Sequence, residues 1–290
     1  MRPQRSTPLW RVALCLGGFL IAAVLWSGLR GLLHEADLRV TTIEATAGSL
    51  YVGGTLALVA GLGRGLDRRP LASIGLTRPR PAHLLTGAVV AAGTVVCLIG
   101  LGVLAGGFTI DLASIGEPGW AAVLDATLAT ILAMSAVAIS EELVFRGYAL
   151  QTLAERWPLW VATATSGIAF AAMHMFGVKT MPEAGAMTLS AVTVTALLVV
   201  ARVITGSIWW AVAWHAVWNV LIASLGLYGS SPHAVQVSVD GPWWLVGPPG
   251  LVEASALVIA ANAAATALLI IYAARRGQRL NWRQRLNSDP

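Results

Sequence analysis

Charge is what this chain has least of. Asp, Glu, Lys and Arg make up 11% of its 290 residues, 57% are hydrophobic, and the mean hydropathy is +0.73. A soluble domain carries roughly 25% charged residues, so this deficit excludes an ordinary water-facing surface and sets much of the exterior against lipid. Cysteine is almost missing too. Cys15 and Cys97 lie in separate apolar runs, which excludes a disulfide framework and a paired-cysteine metal or redox site. The formal charge of +5 rests on arginines scattered in short clusters between apolar runs, a pattern of membrane topology rather than of a nucleic-acid surface.

What is abundant is length of apolar sequence. A spanning helix needs roughly 20 apolar residues. Eight runs qualify as candidates, near 12–33, 45–63, 83–106, 120–144, 159–176, 188–205, 207–227 and 251–273. They are continuously apolar, unlike the short alternating segments of a transmembrane barrel. The expectation is an all-α polytopic membrane protein of about eight transmembrane helices. One domain covers 1–290, with a core at 120–227 and a basic cytoplasmic tail at 275–290. Thr205-Gly206 reads as the tight turn of a helical hairpin. The first run is too long for a signal-peptide core, and no clear small-residue cleavage site follows it.

Orientation follows from the basic residues. With the N-terminus inside, the inner segments hold Arg2, Arg5 and Arg11; Arg64, Arg68, Arg69, Arg78 and Arg80; Arg146 and Arg156; Arg202; and Arg275, Arg276, Arg279, Arg283 and Arg285. The outer side keeps Arg30, Arg39 and Lys179 among Glu35, Asp37, Asp111, Glu117, Glu183 and Asp240. Both termini are therefore expected on the cytoplasmic side of the plasma membrane.

Ionisable groups inside a membrane helix are costly and by default mark function. The fourth run ends in SEELVFRGYALQ, where Glu142 and Arg146 stand one helical turn apart and can pair. Glu141, about 100° away on the helix, is left without a local counter-ion and is placed to accept a proton from water. The fifth run sets Phe170 and His174 one turn apart, and the seventh does the same for His215 and Asn219. The last pair aims an imidazole and an amide into one space, where both can donate to an oxyanion. Singly, such residues are often ion pairs, packing histidines or interhelical glue; together, on three helices, they point to a cavity. Asp125, Glu253, Glu44, His34, His83 and His233 read as solvated residues near helix ends, and Arg202 as a side chain reaching for the headgroups.

The ordered set Glu-Glu-x-x-x-Arg (Glu141, Glu142, Arg146), Phe-x-x-x-His (Phe170, His174) and His-x-x-x-Asn (His215, Asn219) resembles the CAAX protease and bacteriocin-processing family of intramembrane endopeptidases, across residues 139–220. The resemblance implies an eight-helix membrane protease whose cavity opens to the cytoplasmic side and in which Glu141 activates water. Its eukaryotic relatives trim prenylated CAAX proteins.

The expected chemistry is hydrolysis of peptide bonds in a membrane-associated protein or peptide. Glu141 is the general base, His174 holds the water or protonates the leaving amine, and His215 with Asn219 stabilises the oxyanion. No cofactor is expected. A zinc site built from Glu141, His174 and His215, with Glu142 as base, is the alternative within the enzyme class. A proton-coupled transporter and a non-catalytic immunity-type scaffold are the alternatives outside it.

Overall fold

The computed structural model describes residues 7–111, 119–228 and 235–277. Arg2, Arg5, Glu117, His233, Arg279, Arg283 and Arg285, with most of the expected basic tail, lie outside the described residues.

Each of the eight apolar runs becomes a helix: α1 (Pro8–Glu35), α2 (Val40–Leu66), α3 (Pro81–Leu104), α4 (Trp120–Ala154), α5 (Leu159–Met173), α6 (Met181–Thr205), α7 (Trp209–Ser224) and α8 (Ala256–Arg275). Six are long and apolar enough to cross a membrane. The exceptions are α5 and α7, of 15 and 16 residues. At 1.5 Å per residue these reach roughly 22–24 Å, short of a hydrocarbon core of about 30 Å. Length and composition thus support six of the eight expected spans; α7 is an interior helix, with Trp210, Trp214, His215, Trp218 and Asn219 all buried.

Local sequence explains several boundaries. Pro8 and Pro81 sit at helix starts, where a missing N–H costs nothing. Thr180 caps α6 by accepting from the Glu183 amide, while the Glu183 carboxylate accepts from Lys179 N–H. Gly206, with φ +70°, ends α6 in the left-handed conformation and allows the hairpin into α7.

The charged side chains fix which helix ends lie together. At one end, Arg11 of α1 pairs with Asp67 and Glu155, and Arg69 reaches Glu155 at 3.0 Å and Thr152 at 2.5 Å. At the other, Arg30 of α1 meets Glu44 of α2 at 2.7 Å, and Thr41 donates to Asp125 of α4 at 3.0 Å. Glu44 is thus a buried partner rather than the solvated residue expected. Beside this second end, Phe108–Asp111 (β1) and Gln236–Val239 (β2) form an antiparallel ribbon with Phe108 opposite Val239. The sequence reading gave no strands there; four-residue segments are too short to show an alternating pattern.

Arg202 also departs from expectation. It is buried, because a 3₁₀ turn at Leu71–Ile74 folds back over the end of α6 and Arg202 Nη2 donates to Ser73 O at 3.4 Å. Gly75, at φ +84°, makes room: a Cβ there would stand 2.3 Å from Arg202 Nε.

Two apolar clusters flank the site. One joins α3, α6, α7, α8 and the ribbon around Leu98, Trp210 and the stacked Trp214 and Trp218, whose rings are 5.5 Å apart. The other packs Phe19, Tyr51, Phe145 and Phe170 from α1, α2, α4 and α5.

Candidate active site

In the last third of α4, residues Leu143–Ala149 widen into a π-helical stretch, every one of them buried. Such bulges recur at functional sites because the extra residue re-aims neighbouring side chains. Here the stretch begins directly after Glu141 and Glu142. Part of its backbone is satisfied from α5, where Ser166 Oγ donates to Phe145 O at 3.1 Å.

Glu142 is fully buried and its Oε1 accepts twice: from Arg146 Nη1 at 2.9 Å and from His215 Nδ1 at 2.9 Å. The i, i+4 pairing expected from sequence is present. Arg146 in turn donates through Nη2 to Thr195 Oγ1 of α6 at 3.1 Å and lies over the Phe170 ring at 4.4 Å. One guanidinium therefore ties α4, α5 and α6 together, and its counter-ion adds α7.

Because a carboxylate only accepts, the Glu142 contact places a proton on His215 Nδ1 and leaves Nε2 for chemistry. Glu141 Oε2 lies 3.5 Å from that Nε2 and has no hydrogen-bond partner among the described residues. His174, the C-cap of α5, donates from Nδ1 to Phe170 O at 2.9 Å, since a carbonyl cannot donate. In the neutral ring Nε2 then carries the lone pair. The Phe170 and His174 rings are 4.4 Å apart.

His174, His215, Asn219, Arg146 and Phe170 line one cavity with Ser190 and Met187 of α6, Asn262 of α8, Tyr228 and Glu253. Its volume is about 60 Å³, enough for a few waters and too small for a peptide, so a substrate must part the wall. Glu141 is not part of that wall and approaches it through His215. The chain thus brings together Glu141, Glu142, Arg146 and His215 by direct contact, and adds His174 and Asn219 around a shared space.

Three neighbours escaped the sequence reading. Thr195 carries no signal in an apolar helix. Asn262 and Glu253 do: each is a polar residue beside or within an apolar run, and that cost was the usable clue. Glu253, read as solvated, is half-buried on the cavity wall. Burial pushes its carboxyl up to about 7, with its own backbone amide and the charge of His215 pulling the other way.

As for metal, no three His, Cys, Asp or Glu side chains among the described residues gather closely enough to hold an ion. The residues Glu141, His174 and His215 do not form a ligand set as they stand.

Residues 123–221, which hold the three motifs, match the family described as Type II CAAX prenyl endopeptidase Rce1-like. Neither the curated proteins nor the solved structures give a match. The third of the chain that holds the three motifs is thus similar to a family of proteases, and the protein is an all-α membrane protein.

Proposed function

We propose that the chain is a plasma-membrane endopeptidase that hydrolyses peptide bonds of membrane-associated proteins or peptides by a metal-free glutamate mechanism, with both termini cytoplasmic. The observation that carries this reading is the division of labour between adjacent carboxylates. Glu142 is consumed by Arg146 and His215, while Glu141 Oε2 accepts no hydrogen bond among the described residues and lies 3.5 Å from His215 Nε2.

In this mechanism a water held by the His174 Nε2 lone pair gives a proton to Glu141, and the hydroxyl adds to the scissile carbonyl carbon. The resulting oxyanion is met by the Asn219 amide and by His215, which donates from both ring nitrogens when it is an imidazolium. Collapse of the tetrahedral intermediate breaks the C–N bond. The proton taken from water passes to the leaving amine, through His174 or directly from Glu141. Arg146 touches no reacting atom; it positions Glu142, and through it His215.

Comparative membrane proteomics of wild type and Glu141→Gln tests the reading. A protein or peptide should accumulate uncut in the variant while the variant itself inserts and folds. Identical proteomes, with Glu141→Gln present at wild-type level, would refute hydrolysis.

A further inference from the structure

A second, larger space lies on the other side of α6 from the active-site cavity. α6 packs against both α5 and α8. Between those two helices, toward the start of α5 and the end of α8, runs a groove of about 770 Å³, within the roughly 300–1,000 Å³ of sites that take small ligands. Its floor is Val192, Ala196, Val199 and Val200 of α6. The lining is apolar except for Thr163 and Thr266, and Thr266 Oγ1 donates to Asn262 O of its own helix at 2.7 Å.

At 100° per residue, those floor residues fall on the face of α6 opposite Ser190, Val194 and Leu198, which line the active-site cavity. Thr195, the residue that holds Arg146, lies between the two faces. α8 meets both spaces along one i, i+4 stripe, with Val258 and Asn262 on the cavity and Thr266 and Ile270 on the groove. The body of α6, about 10 Å across, thus separates the groove from the water-activating residues. That favours a resident ligand over the tail of a peptide being cut.

The shape and charge of the groove say what it takes. Its inner end is closed where α5 meets α6, since a Cβ on Gly167 would stand 2.9 Å from Val192 Cα. At 1.5 Å per residue, Gly167 lies about 13 Å from Pro158 at the mouth, close to the roughly 15 Å of hydrocarbon in one leaflet. Trp160, 74% exposed beside Pro158, suits the headgroup level. Cations gather at the same level: Arg156 just before Pro158, and Arg275 and Arg276 at the end of α8, with Arg276 over the Tyr272 ring. The acids at this end, among the described residues, are Asp67 and Glu155, and both already pair with Arg11 and Arg69.

We propose that the groove holds an acyl chain of one anionic phospholipid, whose phosphate meets Arg156, Arg275 and Arg276 at the mouth. The bound chain braces the face of α6 that lies behind Thr195 and Arg146. The proposal stands apart from the endopeptidase reading.

Native mass spectrometry of the protein in mild detergent, mixed with equal amounts of phosphatidylglycerol and phosphatidylcholine, tests it. One phosphatidylglycerol per chain should be retained, in preference to phosphatidylcholine by about five-fold or more, the effect of a single arginine near an anionic headgroup. Ala196→Trp, which fills the floor, should lose the lipid. Arg275→Gln with Arg276→Gln, at exposed positions where folding is not at stake, should reduce the preference for phosphatidylglycerol. That lipid should also raise the unfolding midpoint of wild type and leave that of Ala196→Trp unchanged. Retention of neither lipid, equal retention of both, or retention undiminished in the variants overturns the proposal. Displacement of the lipid by an equal amount of a farnesylated peptide also overturns it and assigns the groove to substrate. Glu141→Gln should retain the lipid as wild type does, so failure of the lipid site and failure of the peptidase reading are told apart.

Discussion

Glu142 and His215 are 73 positions apart and meet at 2.9 Å through Oε1 and Nδ1, with Arg146 on the same oxygen at the same distance. This shared acceptor gives Glu142 a structural part, and it separates the two neighbouring glutamates experimentally. Removing one member of a buried ion pair typically costs 3–5 kcal/mol, because a charge is left uncompensated. Glu142→Gln should therefore lower the thermal unfolding midpoint in detergent and also abolish activity. Arg146→Gln should do the same, and the double variant should lose less stability than the two losses added. Glu141→Gln should keep the wild-type midpoint and lose only turnover. Equal destabilisation by both glutamate variants would contradict the assignment.

Asn219 stands one turn beyond His215 on the same wall. If it meets charge that develops only in the tetrahedral intermediate, its loss should appear in kcat and not in KM. Asn219→Ala should reduce kcat about a hundred- to a thousand-fold with KM nearly unchanged, on the substrate identified by proteomics. A raised KM at full turnover would make Asn219 a binding residue instead.

His174 is locked by its bond to the Phe170 carbonyl, so only Nε2 faces the cavity with a lone pair. His174→Ala should lower kcat by roughly a hundred- to ten-thousand-fold, the usual range for a positioned acid or base, and should remove one limb of the pH–rate profile. Phe170→Leu keeps an apolar side chain but loses the ring that separates Arg146 from His174. It should fold and show a smaller loss of kcat. A pH–rate profile unchanged by His174→Ala would remove the proton-handling role.

The helical architecture was legible because lipid imposes long uninterrupted apolar runs, and eight such runs became eight helices. The pairing of Glu142 with Arg146 was legible because it is local, one turn apart. Its extension to His215 and Thr195 was not, since three-dimensional partners 73 and 49 positions away leave no trace in spacing. The shortness of α5 and α7 was hidden for a related reason. Their apolar runs continue into connections that leave the helix, so sequence length overstated helix length. Glu44, Arg202 and Glu253 were read as solvated or interfacial because their partners, Arg30, the Leu71–Ile74 turn and the cavity wall, come from other segments.

Close approach between α3 and α7 holds the buried helix of the site in place. Gly87 is the contact: a Cβ there would come within 2.4 Å of the Trp210 carbonyl oxygen, a backbone atom that cannot swing aside. Gly87→Ala should push the helices apart at a cost of about 1–3 kcal/mol, as for other overpacked positions. The unfolding midpoint should drop, and kcat should fall with it because α7 carries His215 and Asn219. Gly93, on the same helix with nothing near its missing Cβ, supplies the control. Gly93→Ala should be neutral or slightly stabilising, as expected when a helical glycine gains a side chain without a clash.

Glu253 offers a pH signature. Its carboxyl is pushed up to about 7 from an ordinary 4.5 by burial. Between those values the folded chain holds a proton that the unfolded chain has released. Stability from this group is therefore highest at low pH and declines as pH rises through that window. The wild-type unfolding midpoint should fall between about pH 5 and about pH 8 by more than that of Glu253→Gln, whose side chain cannot ionise there. The variant should be the more stable of the two at the alkaline end. Parallel midpoint curves for the two proteins would mean that Glu253 is solvated after all, as its place beside a Gly- and Pro-rich connection first suggests.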